Sequence, residues 1–257
     1  IQTSCPPVDE NLMELLIMLD ALRRASPGRL TVVLPYYPYV RSDKKDQPRV
    51  PITARLVADL LTTAGANRVV TLDLHAPQIQ GFFSVPLDHL TTIDLFSSYM
   101  KAKNLSAPVV VATDAGAAKR AIHFAKRLGA PLAIMEKSRL GNTDSVEITA
   151  FIGDVRGRQA IIFEDEINSG GTILGAAEVL RQQGASDIYV CAAHGVFSGN
   201  STALLSASAI CEVITTDTVP VRGELPPKIT RLPVAPLLAD AIRRIHNGES
   251  VSDLFQY

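Results

Sequence analysis

The chain has 257 residues, 47% of them apolar and 5% aromatic, with no Trp, which suits an α/β protein of one or two domains whose Val, Ile, Leu and Ala fill buried strands. A formal net charge of −1 gives no reason to expect nucleic acid or an anionic membrane as partner, and no uninterrupted apolar run is long enough to cross a bilayer. Cys5, Cys191 and Cys211 are too few and too scattered for a disulfide framework or a metal cage, and they read as reduced thiols of a cytoplasmic protein.

In chain order, Ile1-Gln2-Thr3 reads as the tail of a strand, with no initiator Met and no signal-like pattern. Leu12, Leu15, Leu16, Leu19 and Leu22 recur at helical spacing, and Pro27-Gly28 stops that helix. Leu30 to Leu34 predicts a short buried strand, ended by Pro35-Tyr36-Tyr37-Pro38-Tyr39. A charged loop from Arg41 to Arg49 follows. Pro51 and Thr53 open a second helix carrying Leu56, Val57, Leu60 and Leu61, and Gly65 closes it. Arg68 to Leu74 is the next strand. It delivers Asp73 and His75 to its C-terminal end, where ligands of open α/β sheets bind, and the two-residue spacing puts both side chains on one side.

Around Asp94-Leu95 the pattern starts afresh. A strand through Val109 to Ala112 runs into a small-residue turn. A helix follows from Ala118 to Leu128, and then a strand from Pro131 to Met135. The repeated order of strand, loop and helix suggests two similar domains in tandem, dividing near residues 90–96. Asp114 reads as a helix N-cap. The polar stretch Glu136 to Asp144 is, as a bare sequence, an exposed connection. Ile188 to Ala193 is a strand leading to His194, which reads as a packed or hydrogen-bonded residue rather than a catalytic one. Val213 to Thr216 is a strand, Pro220 to Pro227 a connection, and Val234 to His246 the last helix, before the tail Asn247 to Tyr257.

Between these parts lies the stretch around which the chain is organised, Gln159-Ala160-Ile161-Ile162-Phe163-Glu164-Asp165-Glu166-Ile167-Asn168-Ser169-Gly170-Gly171-Thr172. An apolar run ends in acids, a short loop with two adjacent glycines follows, and a helical pattern runs on to Gly184. Backbone N–H groups of such a loop and the positive end of the helix cradle a phosphate. The glycines let the backbone come close to it. Acids at the strand tip accept from sugar hydroxyls or hold a cation. On these residues alone two readings stand: a ribose 5-phosphate site, or an ordinary strand-to-helix turn with a solvated acidic end.

The stretch resembles the ribose-phosphate motif of the phosphoribosyltransferase fold. Together with Asp73-Leu74-His75-Ala76-Pro77-Gln78-Ile79-Gln80-Gly81-Phe82-Phe83, and with further matches from Asn11 to Phe255, it makes the chain similar to the ribose-phosphate pyrophosphokinases. The resemblance implies two tandem phosphoribosyltransferase-like α/β domains with mostly parallel sheets flanked by helices. Their expected extents are residues 1–93, completed by the tail 243–257, and residues 94–242. It also implies further strand and helix units ahead of Ile1, which in the family supply part of a neighbouring subunit's adenine-binding surface.

Site roles follow from the same resemblance. Arg41 and Ser42 on the charged loop, otherwise a solvated connection, and Asp73 with His75 would bind ATP. Asp73, His75, Asp88 and Asp114 would surround Mg²⁺. Lys137 and Arg139 would be the catalytic basic pair of a mobile loop. Glu164, Asp165, Asn168, Ser169, Gly170, Gly171 and Thr172 would bind ribose 5-phosphate. Ser250, Ser252 and Phe255 would belong to a regulatory anion site, with phosphate and ADP as regulators. A cytoplasmic homo-oligomer, a hexamer built from dimers, is implied, with neither nucleic acid nor membrane as partner. Ser42, Ser84 and Asn168 depart from the family's usual Gln, Asp and Asp. Beside an active synthetase they leave open a catalytically weak synthetase-like partner subunit, and the central loop is shared by a third reading, a nucleobase phosphoribosyltransferase, against which the Asp73 to Phe83 stretch and the tandem domains speak.

Overall fold

The computed structural model describes residues 5–139, 146–221 and 223–255. Its contacts divide the chain into two compact units, one running up to Thr91 and resuming at Ala241, the other spanning Thr92–Asp240.

The first unit begins with α1 (Val8–Arg24), which buries Leu12, Leu15 and Leu19. These are three of the five leucines that mark it in the sequence. Then come β1 (Thr31–Leu34), α2 (Thr53–Ala64), β2 (Arg68–Leu72), a 3-10 turn at Pro77–Phe82 and β3 (Leu87–Leu90). The three strands form one parallel sheet in the order β1-β2-β3. Gly65 ends α2 at φ +116°, a left-handed conformation that disfavours a side chain. The expected apolar stripe of α2 is half wrong. Val57 and Leu61 are buried with Ala54 and Ala58, whereas Leu56 and Leu60 are 54% and 37% exposed. A four-residue pattern cannot separate the core face of a helix from the face one step round.

The second unit runs α3 (Ile93–Ala102), β4 (Pro108–Ala112), α4 (Ala115–Leu128), β5 (Leu132–Arg139), β6 (Val146–Ile152), β7 (Gln159–Ile167), α5 (Gly171–Gln182), β8 (Asp187–Gly195), α6 (Ser201–Ala207), β9 (Glu212–Thr216) and β10 (Ile229–Leu232). The helix α7 (Ala235–Asn247) and a 3-10 turn at Ser252–Phe255 close the chain. The seven strands form one sheet in the order β10-β9-β8-β7-β4-β5-β6, parallel except for the antiparallel pair β5–β6. The fold class is therefore α/β with mostly parallel sheets flanked by helices, as expected.

Alternation along the central strands builds two cores. Val109, Val111, Ala160, Ile162 and Val190 pack on one face with Ile173, Ala176 and Leu180 of α5. Val110, Ala112, Ile161, Phe163 and Cys191 pack on the other with Phe96 of α3 and Phe124 of α4. The Phe124 and Phe163 rings stack with centroids 4.3 Å apart, and Phe96 meets Phe163 edge-on at 6.0 Å. Such aromatic pairs add to the area they bury.

Several elements depart from the sequence reading. Glu136 to Arg139 extend β5 instead of opening a loop, because β6 offers them an antiparallel partner, with a register shift at Glu136/Lys137. β3, β6 and β10 are short or edge strands, and none announces itself by a long apolar run. β2 ends at Leu72, so Asp73 is not its last residue but the start of a turn at φ +35°. Conversely, β7 runs through Glu164, Asp165 and Glu166 to Ile167, so these acids lie on the strand and not beyond it.

Candidate active site

In the seven-stranded sheet the order reverses between β4 and β7: β5 follows β4 on one side, and β8 follows β7 on the other. A reversal of this kind leaves a crevice at the carboxyl ends of the two strands, where open α/β sheets bind ligands. Both strands end in polar loops at this point. Thr113 and Asp114 follow β4, and Asn168, Ser169 and Gly170 follow β7.

The carboxylates beside the crevice are held by α4 and by the end of β4. The Thr113 hydroxyl donates to Glu164 Oε1. Arg120 of α4 donates from Nη2 to Asp165 Oδ1 at 2.9 Å, and Asp165 is buried. Asp114 caps α4 by accepting the Ala117 N–H at 2.8 Å. The N-cap reading is thus correct, and it leaves the second carboxylate oxygen for other work. Burial pushes the Glu164 carboxyl up to about 7; the Asp165 and Asp114 carboxylates push the same way, against the Thr113 hydroxyl and Arg120. Thr113 and Arg120 were missed from the sequence, because one sits at a strand end and the other a turn and a half into a helix, with no local signal for either.

The glycine turn has the shape its residues suggest. Gly170 is buried at φ +81° and precedes the first turn of α5, while Ser169, Gly171 and Thr172 are exposed. α5 has no side-chain cap at its start. Donors at a helix start are orphans that an anion satisfies. A strap from the end of β8 supports the turn from behind. The N–H groups of Val196 and Phe197 donate to Ile167 O at 2.9 and 3.0 Å, and that of Ser198 to Asn168 O at 3.0 Å. The ring of Phe197 folds over Gly195 so closely that an added Cβ there would lie 2.4 Å from it. His194 is buried, with Nδ1 2.8 Å from the Thr218 hydroxyl, as a packed residue should be.

In the first unit, Asp73 is buried and accepts from the Thr91 hydroxyl at 3.1 Å, whereas His75 is exposed. The strand alternation from which the two were expected to share one side ends at Leu72, so it does not govern them. Asp88 lies within β3, where Arg68 Nη1 pairs with its Oδ2 at 2.6 Å. Among the described residues, no three His, Cys, Asp or Glu side chains gather as a ligand group. Within the first unit, Asp73, His75 and Asp88 are thus not gathered as a three-ligand group.

Arg41 is exposed, and the Ser42 hydroxyl is engaged locally, accepting the Thr53 N–H at 3.1 Å where α2 begins. Lys137 and Arg139 lie on the β5 backbone; their side chains, and residues 140–145, fall outside the described part. In the tail, the Ser250 hydroxyl accepts the Ser252 N–H at 3.2 Å, and the Ser250 carbonyl accepts from Arg244 at 2.9 Å. The Phe255 side chain lies outside the described part.

Comparison with known proteins identifies the family. The family described as the N-terminal domain of ribose phosphate pyrophosphokinase matches residues 1–65, and the phosphoribosyl synthetase-associated domain matches residues 143–256. A ribose-phosphate pyrophosphokinase of Caldanaerobacter subterraneus is 52% identical over 99% of this chain and 81% of its own length. That of Synechococcus elongatus is 49% identical over 100% of this chain and 78% of its own. The chain belongs to the ribose-phosphate pyrophosphokinase family. The crystal structure of phosphoribosylpyrophosphate synthetase from Mycobacterium smegmatis superposes with a TM-score of 0.89 at 44% identity, over 96% of this chain and 81% of that one. Membership of this pyrophosphokinase family makes the chain an enzyme, a ribose-phosphate diphosphokinase, and favours that reading over the weak partner subunit and the nucleobase transferase. No helix among the described residues is long and apolar enough to cross a membrane.

Proposed function

We propose that the chain moves the β,γ-diphosphoryl group of ATP to the 1-hydroxyl of ribose 5-phosphate, giving phosphoribosyl pyrophosphate and AMP for nucleotide biosynthesis. The observation that carries this reading is the glycine turn beside two carboxylates at the β4–β7 crevice, in a chain of this family. In the transfer, the sugar's 1-oxygen forms a bond to the β-phosphorus. The bond from that phosphorus to the oxygen bridging the α-phosphate breaks, and the hydroxyl proton leaves. Transfer between anions needs positioning and charge neutralisation more than covalent help.

The roles follow that need. The backbone of Asn168 to Thr172, with the Ser169 and Thr172 hydroxyls, holds the 5-phosphate. Glu164 and Asp165 accept from the ribose 2- and 3-hydroxyls. Arg41, Ser42, Asp73 and His75 serve ATP, and Lys137 with Arg139 balances charge at the β-phosphorus. Mg²⁺ is usually held by one or two carboxylates plus substrate phosphates rather than by an all-protein cage. Asp73, Asp88 and Asp114 offer the hard oxygen donors that suit this cation, and these with His75 would surround it, some through water. The cation supplies charge neutralisation on the transferring phosphates.

The proposal extends to the division into domains 1–93 with 243–257 and 94–242, to a cytoplasmic homo-oligomer, and to phosphate or ADP acting at Ser250, Ser252 and Phe255. The test of the activity is AMP release from ATP in the presence of Mg²⁺. It should depend wholly on ribose 5-phosphate. Lys137→Ala should lower kcat by about 10²–10³-fold while the dissociation constant of ribose 5-phosphate stays within about threefold, since the charge is needed chiefly in the transition state. AMP release without the sugar phosphate, or an equal loss of binding, would overturn these assignments.

A further inference from the structure

The turn that follows β2 is built by β3. Asp73 stands at φ +35°, in the left-handed region that non-glycine residues rarely occupy, though Asp tolerates it better than most. Three contacts from three successive residues of β3 and its end hold it there. The Asp73 N–H donates to the Leu90 carbonyl at 3.0 Å. The next N–H, that of Leu74, donates to the ring nitrogen Nε2 of His89 at 2.8 Å. The Thr91 hydroxyl donates to Asp73 Oδ1 at 3.1 Å. His89, Thr91, Asp73 and Leu74 are all buried. Beyond Leu72 the ladder has ended, so the Leu74 N–H has no strand partner. A buried N–H without one is costly. The bond also fixes the histidine chemically: Nε2 accepts, so it carries no hydrogen.

We propose that His89 is a positioning residue for the reaction. Its Nε2, with the Thr91 hydroxyl, clamps the Asp73-Leu74-His75 turn in the left-handed conformation that presents His75 to solvent and turns Asp73 inward. The inference rests on the reading of Asp73 and His75 as ATP-site residues. His89 itself touches no substrate.

The test compares His89→Leu, which removes the acceptor, with His89→Gln, whose amide oxygen stands near the place of Nε2. Amide hydrogen exchange of the full chain reads the clamp directly. Leu74 should exchange at least about tenfold faster in His89→Leu, as expected for an orphaned buried donor, and near the parent rate in His89→Gln. Steady-state kinetics reads the consequence. His89→Leu should lower kcat/KM for ATP by about tenfold or more, leave KM for ribose 5-phosphate within about twofold, and be rescued by His89→Gln. Unchanged Leu74 exchange in His89→Leu would overturn the clamp. So would equal impairment of both variants, or equal loss toward both substrates. If His89→Leu fails to fold, Thr91→Val removes the second contact at constant shape and must show the same one-sided loss; parent-like ATP kinetics there would also overturn it. His75→Ala separates the premise from the proposal. Parent-like ATP kinetics in that variant, beside faster Leu74 exchange in His89→Leu, would reject the ATP reading of the turn and leave the clamp standing.

Discussion

Glu164 is where chemistry and stability meet at a single residue. The free site holds its carboxyl at about 7, first through burial and then through the nearby Asp165 and Asp114 carboxylates. A carboxyl whose pKa is higher folded than unfolded stabilises the fold most below the unfolded value. That contribution is lost as pH rises through the folded value. The window therefore runs from about 4.5, the ordinary glutamate value, to about 7. Glu164→Gln removes the charge and keeps the shape. In denaturant titrations without ligand or metal, the variant should match the parent near pH 4.5 and exceed it above pH 7. A variant less stable than the parent at high pH would mean that the ionised carboxylate is welcome in the free site. In the proposed role, sugar hydroxyls donating to Glu164 would favour its ionised form, so bound ribose 5-phosphate would offset this cost.

At the scale of elements, the β7–turn–α5 unit shows how a site is shaped by its supports. Gly170 is needed for its backbone angle and not for space. A Cβ there would meet only Leu205 and Ser201 atoms at 3.7 Å or more, whereas φ +81° disfavours any side chain. Gly170→Ala should therefore destabilise the protein by about 1–2 kcal/mol. It should also reduce the melting-temperature rise that ribose 5-phosphate produces. A full rise in Gly170→Ala would show that the sugar phosphate does not depend on this turn. The neighbouring strap is a second support. Three backbone bonds from Val196, Phe197 and Ser198 hold Ile167 and Asn168, and Gly195 makes room for the Phe197 ring that anchors the strap. β5 and β6 make a third case, since the backbone of Lys137 and Arg139 is held in antiparallel pairing with Ile148 and Val146.

Across the whole molecule, the proposed roles fall on different units. The residues proposed for the sugar phosphate lie in the second unit, on β7 and at the start of α5, and the Asp73–His75 turn lies in the first. Ribose 5-phosphate alone should slow amide exchange across residues 164–175 and leave α1 and α2 unchanged, because ligand energy protects the segments it contacts. Slowing confined to the first unit would place the sugar phosphate elsewhere.

Much of this protein was legible in its residues. Buried parallel strands read as apolar runs, so β1, β2, β4, β7, β8 and β9 were all visible. The glycine turn was visible because glycine pairs and positive φ go together, as Gly170 shows. The family could be named from two stretches. What pairing and packing decide was not legible. β3, β6 and β10 exist because neighbouring strands offer them partners, and their own sequences carry too few alternations to show it. The different burial of Asp73 and His75 was not legible either, because β2 ends at Leu72 and its alternation does not reach them. The Thr113–Glu164, Arg120–Asp165 and Arg68–Asp88 contacts join residues 20 to 51 positions apart. Side-chain contacts at such separations leave no periodic trace in a sequence, because only the closed sheet brings their strands and helices side by side.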